Sequence, residues 1–246
     1  MQHIRPIFMR ELKGYFASPL AYVFLVAFLA MSGLLTFYLG RFFETERVDL
    51  TPFFAFHPWL YLFLLPALAM RLWAEEIRSG TIELLLTLST PIYAAVLGKF
   101  FAAWAFAGAA LALTFPMWLT VNYLGAPDNG AIFASYLGSF LMAGGYLAIG
   151  ACISAATGGQ VVAFVISVVV CFLFTVAGLP LVTSAFSGWA PPALADTLAS
   201  FSFLTQFDAM QRGVIELDAV IFFLSLIALW LTANTLLISA RKGGSL

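Results

Sequence analysis

Long apolar stretches separated by short polar ones dominate the pattern of this chain. A helix needs roughly 20 mainly apolar residues to cross a hydrocarbon core of about 30 Å, and six stretches have about that length. They are residues 20–40, 53–70, 100–124, 131–156, 161–182 and 219–239. Runs this long favour helices over barrel strands of about ten residues, because the backbone in lipid must satisfy its own hydrogen bonds. The pattern predicts an all-α integral membrane protein with six transmembrane helices in one domain, residues 1–246.

The composition agrees with this prediction. Hydrophobic residues make up 63% of the sequence, charged residues 9%, and the mean hydropathy is +1.00, far from the values of soluble domains. The first span is longer than the core of a signal peptide and no cleavage pattern follows Gly40, so we expect it to stay in the mature protein. Cys152 and Cys171 fall within predicted spans, where we expect packing rather than a disulfide or a metal site.

The charges predict an orientation and exclude one class of partner. Lysine and arginine accumulate in cytoplasmic flanks, and a six-span arrangement puts Arg5, Arg10, Lys13, Arg71, Arg78, Lys99, Arg241 and Lys242 on one side. The other side receives Arg41, Arg47 and Arg212. Both termini are therefore expected in the cytoplasm. A net charge of −1 gives no basic surface for a phosphate backbone, so nucleic acid is not an expected partner.

The segment before the first span, residues 1–19, has the pattern of a helix lying in the membrane interface. Arg10 and Lys13 fall on one side of a helical projection, with Glu11 intruding on the apolar side. The apolar side contains Ile4, Ile7, Phe8, Leu12, Tyr15 and Phe16. Two interpretations remain open, a basic anchor that sets the orientation and an interfacial helix with a mechanical role.

Charge is concentrated between the second and third spans. Arg71, Glu75, Glu76, Arg78 and Glu83 fall within thirteen positions. Four charges at helix centres would cost roughly 10 kcal/mol on the insertion scale, whereas the four leucines of residues 84–88 recover only about 2 kcal/mol. The segment is therefore expected outside the hydrocarbon, on the cytoplasmic side.

Local signals predict a short helix in this segment. Gly80 offers a break, Thr81 can act as an N-cap, and Glu83 then falls in a first turn, where the helix dipole favours a carboxylate. Thr90-Pro91 repeats the signal and starts the helix that leads to the third span. A short helix with an apolar side, tethered to two spans, is suited to receive a partner and to transmit a push.

We name residues 75–90 the coupling region. Its candidate coupling residues are Glu75, Glu76, Gly80, Thr81 and Glu83. Glu75 and Glu76 extend from the second span, so we expect them to hold the interfacial helix through Arg10 or Lys13.

Three stretches of the sequence resemble the permeases of ABC-2 type transporters, the membrane subunits of ABC exporters. The central stretch is AEEIRSGTIELLLTLSTP at residues 74–91, followed by GK at 98–99. Before it, PFF at 52–54 and PWLYLFLLPALAMR at 58–71 resemble the gliding-motility branch of that family. FLTQFDAMQRGVIELDAVIFFLSL at 203–226 resembles the family's approach to its last span. The resemblance covers essentially the whole chain, and its central motif is specific.

The resemblance implies an export function and a set of partners. Two permease subunits of this family dock on two ATP-binding cassette subunits, so a homodimer or a pair with a close permease paralogue is implied. ATP and magnesium then belong to the partner ATPase, and no cofactor, metal or catalytic residue is expected in this chain. The implied location is the bacterial inner membrane. Membrane lipid and an extracytoplasmic auxiliary protein are further expected partners.

The sequence itself agrees that the energy source lies elsewhere. A P-loop needs G-x-x-x-x-G-K-[ST]. At Gly98-Lys99, the one Gly-Lys pair of the sequence, Tyr93 replaces the first glycine and Phe100 replaces the serine or threonine. ATP hydrolysis is therefore expected in a separate subunit.

The resemblance also implies a hydrophobic external region before the last span, residues 183–217. This stretch contains Pro191-Pro192 and the aromatic residues Phe186, Trp189, Phe201, Phe203 and Phe207. Short re-entrant helices and interfacial aromatics that pack on lipid would give the same sequence pattern. Small residues of the fourth span, Gly138, Ser139, Gly144, Gly145 and Gly150, predict close helix contacts, either within the chain or across a dimer.

Three other functions are alternatives to export. An intramembrane enzyme needs clustered nucleophiles, acids and bases or metal ligands, but His3 and His57 are far apart and no Asp or Glu falls within a predicted span. An ion-coupled carrier usually carries buried carboxylates, which the spans lack. A non-transport assembly subunit remains an alternative. The aromatic content of the spans hints at an amphipathic cargo, whose identity the sequence leaves open.

Overall fold

A computed structural model describes residues 3–44, 49–83, 90–187 and 197–243 of the chain. Within these ranges the chain is predominantly helical and contains no β-strand. The predicted all-α class is therefore confirmed for the described part of the chain.

The helices follow one another with short connections. They are α1 (Ile4–Ala17), α2 (Pro19–Leu34, continued by a π-helical segment at Leu35–Leu39), α3 (Thr51–Ala55), α4 (His57–Ala69), α5 (Arg71–Ser79), α6 (Ile92–Ala112), α7 (Phe115–Leu124), α8 (Asn129–Ala156), α9 (Gln160–Val176), α10 (Pro180–Ser187), α11 (Phe203–Gln211) and α12 (Leu217–Gly243).

Four helical segments are long and apolar enough to cross a membrane. They are Pro19–Leu39, Ile92–Leu124, Asn129–Ala156 and Leu217–Arg241. The predicted spans 53–70 and 161–182 correspond to shorter helices, α4 with 13 residues and α9 with 17 residues. At 1.5 Å per residue these two helices are about 20 and 26 Å long. The chain thus has the make-up of a multi-pass membrane protein.

Prolines and a side-chain cap set several helix boundaries, and the break at Ser18-Pro19 lies where the sequence predicts it. Ser18 has an extended backbone, with φ −93° and ψ 129°, and Pro19 begins α2 directly after it. Pro91 precedes α6 with a similarly extended backbone. At the start of α8, the Asp128 carboxylate accepts hydrogen bonds from two backbone N–H groups at 2.9 and 3.1 Å. These groups would otherwise lack partners at a helix N-terminus.

Helix α8 is the centre of the bundle. It packs against α4, α5, α6, α9, α11 and α12. Tyr146, Leu147, Ala148 and Ile149 are all 0% exposed. Four consecutive residues cover slightly more than one turn of 3.6 residues, so every side of α8 is enclosed at this level. Six of the other helices are thus arranged around α8.

The small residues of α8 make their contacts within the chain. A Cβ atom added at Gly150 would lie 2.6 Å from the Cβ of Ala69 in α4. One added at Gly144 would lie 2.8 Å from the Cδ1 of Ile227 in α12. The glycines therefore let α4 and α12 approach the α8 backbone closely. Of the two kinds of contact that the sequence predicts for these residues, the structure shows those within the chain.

Contacts along α8 define two ends of the bundle. Ser139 bonds to His57 at the start of α4, and Ser154 bonds to Met70 just after the end of α4, so α4 and α8 run in the same direction. Arg241 of α12 donates to the carbonyl of Ala156 at the same end as Ser154. We call this end, which also contains α5 and the start of α6, the charged end.

Helix α1 runs alongside the first half of α6. A Cβ at Gly98 would lie 2.8 Å from the Cγ2 of Ile7, and eight residues later the ring of Tyr15 stacks on Phe106 at 5.3 Å. Between these two contacts each helix advances by eight residues, so α1 and α6 are parallel. The apolar side of the predicted interfacial helix is therefore occupied in part by α6.

In its described part, the predicted external region contains the end of α10, helical residues 197–200 and α11. Phe203 and Phe207 are 0% and 1% exposed, and α11 packs on α8. These two aromatics therefore belong to the protein core and do not pack on lipid. Phe201 is 50% exposed. Trp189 and Pro191-Pro192 lie outside the described residues, 188–196 being absent from the ranges given above.

The glycine contacts of α8 lead to a stability prediction. Gly150→Ala should lower the free energy of unfolding by about 1 to 3 kcal/mol, because its Cβ forces apart the backbones of α4 and α8. Gly33→Ala in α2 is the matched control, since nothing lies within 4 Å of a Cβ there. It should change stability by less than about 1 kcal/mol. Unfolding in detergent, followed by tryptophan fluorescence, measures both, and equal stabilities would contradict the packing of α4 on α8.

Candidate functional site

A buried lysine lies at the junction of α1, α5 and α6. The side chain of Lys99 is 4% exposed, and its Nζ lies 2.7 Å from Oε1 of Glu76 and 3.4 Å from Oε1 of Glu11. The same Nζ lies 5.2 Å from the ring centroid of Trp73. One ammonium group thus joins three helices that are separated along the sequence.

The local sequence explains how α1 comes so close to this lysine. Gly98 precedes Lys99 and leaves room for Ile7, so the α1 backbone can approach α6. Glu11, which interrupts the apolar side of α1, is the residue of that side that meets Lys99. The feature that weakens the amphipathic pattern in the sequence is therefore a charged contact in the fold.

The charges in this junction nearly balance. Arg10 donates to Glu11 at 2.7 Å, so two cations face the two carboxylates of Glu11 and Glu76. Oε2 of Glu76 is buried and has no hydrogen-bond partner among the described residues. Removing Lys99 from water is costly unless its countercharges stay in place, and the Trp73 ring adds a cation–π contact. The junction therefore holds the three helices at defined distances.

Tyr15 extends this junction on the α1 side. Its ring packs on Phe106, and burial raises the pKa of its phenol well above the usual value, with the nearby Glu11 carboxylate adding to the rise. The phenol consequently stays protonated at neutral pH and adds no further negative charge.

A serine of α8 fixes the beginning of α5. The Ser154 hydroxyl, which is 0% exposed, accepts hydrogen bonds from the N–H groups of Trp73 and Ala74 at 3.1 and 3.0 Å. It donates to the carbonyl of Met70 at 2.8 Å. Since the first N–H groups of a helix have no partner within it, this hydroxyl acts as a cap supplied by another helix. Helix α5 is thereby attached to the bundle centre.

The described part of the coupling region continues from α5 through a glycine turn. Gly80 ends α5 with φ 71°, a left-handed conformation that favours glycine. An N-cap at Thr81 would make Ile82 the first helical residue, but the helical conformation already begins at Thr81. The Thr81 hydroxyl instead lies 2.9 Å from that of Ser79. The N–H of Glu83 donates to the Gly80 carbonyl at 3.3 Å.

The two faces of this short segment differ in exposure. Ile82 is 7% exposed, whereas Thr81 and Glu83 are exposed. Residues 84–89, which carry the leucines of the predicted coupling helix, lie outside the described residues. Glu83 therefore offers its carboxylate to the surroundings of the charged end.

The expected partners of Glu75 and Glu76 are corrected by the structure. Glu76 pairs with Lys99 of α6 and not with Arg10 or Lys13. Glu75 pairs with Arg71, four residues earlier on α5, at 3.1 Å. Lys13 is exposed and has no ion pair within the described ranges. The link to α1 thus runs through Lys99 and Glu11.

A second buried polar cluster lies toward the opposite end of the bundle. His57 is 0% exposed, and its Nδ1 lies 2.8 Å from the Oγ of Ser139. The Tyr61 hydroxyl lies 2.7 Å from the same Oγ. Two turns further along α8, the Tyr146 hydroxyl lies 2.6 Å from Oγ1 of Thr175 in α9. These bonds connect α4 and α9 to α8. The small residue at position 139 is the one signal for them in the sequence.

Comparison with known proteins yields no family assignment. No protein-family model matches the chain, and no curated protein matches it. The features that point to a function are therefore the motifs of the sequence and the contacts at the charged end.

The buried position of Lys99 gives a prediction for the junction. Lys99→Met should lower the free energy of unfolding by about 3 kcal/mol, because it leaves the Glu11 and Glu76 carboxylates without their common cation. Arg212→Met is the control, since the Arg212–Asp208 pair is more than half exposed and such pairs contribute less than about 1 kcal/mol. Denaturant unfolding of the purified variants measures both.

Adding Glu76→Gln to Lys99→Met should recover part of the loss, because it removes one uncompensated carboxylate. Equal effects of the lysine and arginine substitutions would contradict the structural importance of the junction.

Proposed function

We propose that this chain is the membrane-spanning permease subunit of an ATP-driven ABC exporter. A separate ATP-binding cassette subunit hydrolyses ATP and docks on the coupling region, residues 75–90. The observation that carries the proposal is the Lys99 junction, in which Glu76 at the base of the coupling region contacts α6 and, through Lys99, α1. A partner that moves the coupling region would therefore act on several helices at once.

The contacts of α5 support two routes for such a movement. One runs through Ser154, whose hydroxyl holds the first turn of α5 against α8. The other runs through Glu76 and Lys99 to α6. Because Gly80 turns the chain sharply after α5, a force on Thr81 to Glu83 reaches α5 at its C-terminal end. The exposed Glu83 carboxylate is our proposed contact with a basic residue of the ATPase.

Six crossings are part of the proposal. Four helical segments have sufficient length and apolarity, and α4 and α9 are proposed as the remaining two. Support comes from their packing along α8, which itself is long enough to cross. With six crossings, the excess of lysine and arginine at the charged end favours a cytoplasmic location for that end and for both termini. The proposed location is the bacterial inner membrane.

The proposed assembly contains two permease subunits, as a homodimer or with a close paralogue, and two ATPase subunits that bind ATP and magnesium. Because the small residues of α8 are used within the chain, the permease contact must use other helices. Exposed apolar residues of α2, α9 and α12 provide such surfaces. The cargo is proposed to be amphipathic and to leave the cytoplasm, with an extracytoplasmic auxiliary protein as a further partner.

Copurification tests the proposed division of labour. An ATP-binding subunit should copurify with the chain in about equal amounts, and the chain freed of it should hydrolyse no ATP, because the sequence lacks a P-loop. The measurement is ATP turnover before and after the subunits are separated. ATP turnover that remains with the isolated chain would favour an enzyme, and isolation without any ATPase would favour an assembly subunit. Either result contradicts the proposal.

The role of Glu83 gives a second test on the copurified complex. Glu83→Gln should lower its ATP hydrolysis by about tenfold, the ratio that corresponds to the loss of one charge-assisted hydrogen bond. Insertion and abundance should not change, since Glu83 is exposed. Glu216→Gln, which alters an exposed carboxylate just before α12, is the control and should have no effect.

Coupling to the ATPase can be measured pairwise with double-mutant cycles. The coupling between Glu83 and a basic residue of the ATPase should exceed that between Glu75 and the same residue. A further variant combines Glu75→Gln, Glu76→Gln and Glu83→Gln. If it keeps full transport activity at normal abundance, the coupling region has no mechanical role.

A further inference from the structure

A polar cleft opens at the charged end between α1, α2 and α5. It has a volume of about 140 Å³ and is lined by Glu11, Tyr15, Ser18, Arg71 and Glu75, together with apolar residues. Arg71 lies two residues after Ala69, the last residue of the apolar helix α4, and Ser18 directly precedes α2. The cleft therefore lies where two apolar helices end, at the level expected for lipid headgroups.

An apolar groove continues from this cleft along α2 and α4. It also has a volume of about 140 Å³, and Leu20 and Leu68 line both the cleft and the groove. From Leu20 the groove follows α2 as far as Ala27 and passes Leu64 and Ala67 of α4. Seven residues of helix correspond to about 10 Å. The cleft and the apolar groove thus adjoin at Leu20 and Leu68.

The charges of the cleft favour a headgroup that carries both signs. Arg71 bonds to Glu75 through its Nε, so its two terminal nitrogens remain to bind a phosphate. The hydrogen bonds described for Glu11 use Oε1, and the one for Glu75 uses Oε2. One oxygen of each carboxylate is thereby left to accept from a cation. The lining therefore offers one guanidinium for a phosphate and two carboxylate oxygens for a cation, which matches a headgroup that carries both signs.

We propose that the cleft and groove together bind one phospholipid with a primary-amine headgroup, of the phosphatidylethanolamine type. Its phosphate binds Arg71, its ammonium donates to Glu11 and Glu75, and one acyl chain lies between α2 and α4. A primary ammonium has three N–H donors to satisfy the carboxylates, whereas a quaternary ammonium has none. The site requires only that the chain lies in a membrane, so it is independent of the proposed export function.

The headgroup of the bound lipid would contact both α1 and α5, the two helices that the Lys99 junction holds together. Glu11 contributes to both sites, through Oε1 to Lys99 and through its other oxygen to the headgroup. Occupancy of the cleft should therefore stabilise the arrangement of α1 against α5 by mass action.

Native mass spectrometry of the purified protein, with whatever subunits copurify, tests the site on the unmodified chain. Equimolar lipids with identical acyl chains and ethanolamine, N-methylated ethanolamine, choline or glycerol headgroups are offered together. The ethanolamine lipid should be retained about tenfold over the choline lipid, with retention falling at each methylation, because donors are lost one by one. Equal retention of ethanolamine and choline lipids, or preference for the anionic glycerol lipid, overturns the proposal.

Substitutions locate the binding on the protein. Arg71→Gln should reduce lipid retention about tenfold, whereas Arg78→Gln, which alters an exposed arginine of the same helix, should not. Ala67→Phe fills the groove and should also reduce retention, in contrast to Val26→Phe on the lipid-exposed side of α2, where Val26 is 66% exposed. Retention unchanged by both Arg71→Gln and Ala67→Phe overturns the location. None of these readouts involves an ATPase, so failure of the export proposal leaves them unaltered.

Discussion

The rest of the charged end depends on one constraint, which is that the Lys99 ammonium is removed from water and must keep its countercharges. Burial of a charge is costly unless partners of opposite sign are held in place. Here those partners come from two helices that are 23 and 88 residues away along the chain. Any displacement of α1 or α5 away from α6 would leave charge uncompensated in a poorly hydrated site. The three helices are therefore tied together by an electrostatic requirement and by apolar packing.

The same reasoning applies to the uncharged polar groups that surround α8. The first N–H groups of α5 need an acceptor, and Ser154 supplies it from a neighbouring helix. His57 and Tyr61 find Ser139, and Tyr146 finds Thr175. In a chain with 63% hydrophobic residues, these few bonds give direction to packing that apolar contacts alone would leave poorly specified. Each bond connects α8 to one of its neighbours.

Much of the helical pattern could be predicted from sequence, whereas the contacts between helices could not. The break at Ser18-Pro19 and the glycine turn at Gly80 follow from local backbone preferences, and both are present. The pairing of Glu76 with Lys99 depends on how α5 and α6 are rotated and packed, which no local pattern records. Glu11 gave the one usable hint, since a carboxylate on an apolar face needs a cation nearby. In the predicted spans 53–70 and 161–182, the helices are shorter than the thickness of the hydrocarbon core. Hydropathy reports the length of an apolar stretch and not where prolines and turns end a helix.

The enclosure of α8 has a consequence for how this chain meets its environment. In its apolar stretch, 89% of the residues are buried within the chain itself, so this helix is solvated by protein even though it is apolar enough for lipid. Its sequence is therefore constrained by side-chain volume more than by hydrophobicity. Replacing an alanine of this helix with leucine would be harmful, although both side chains are apolar enough for lipid. The bilayer acts as solvent for the outer helices only, and the bundle has an interior in the same sense as a water-soluble protein.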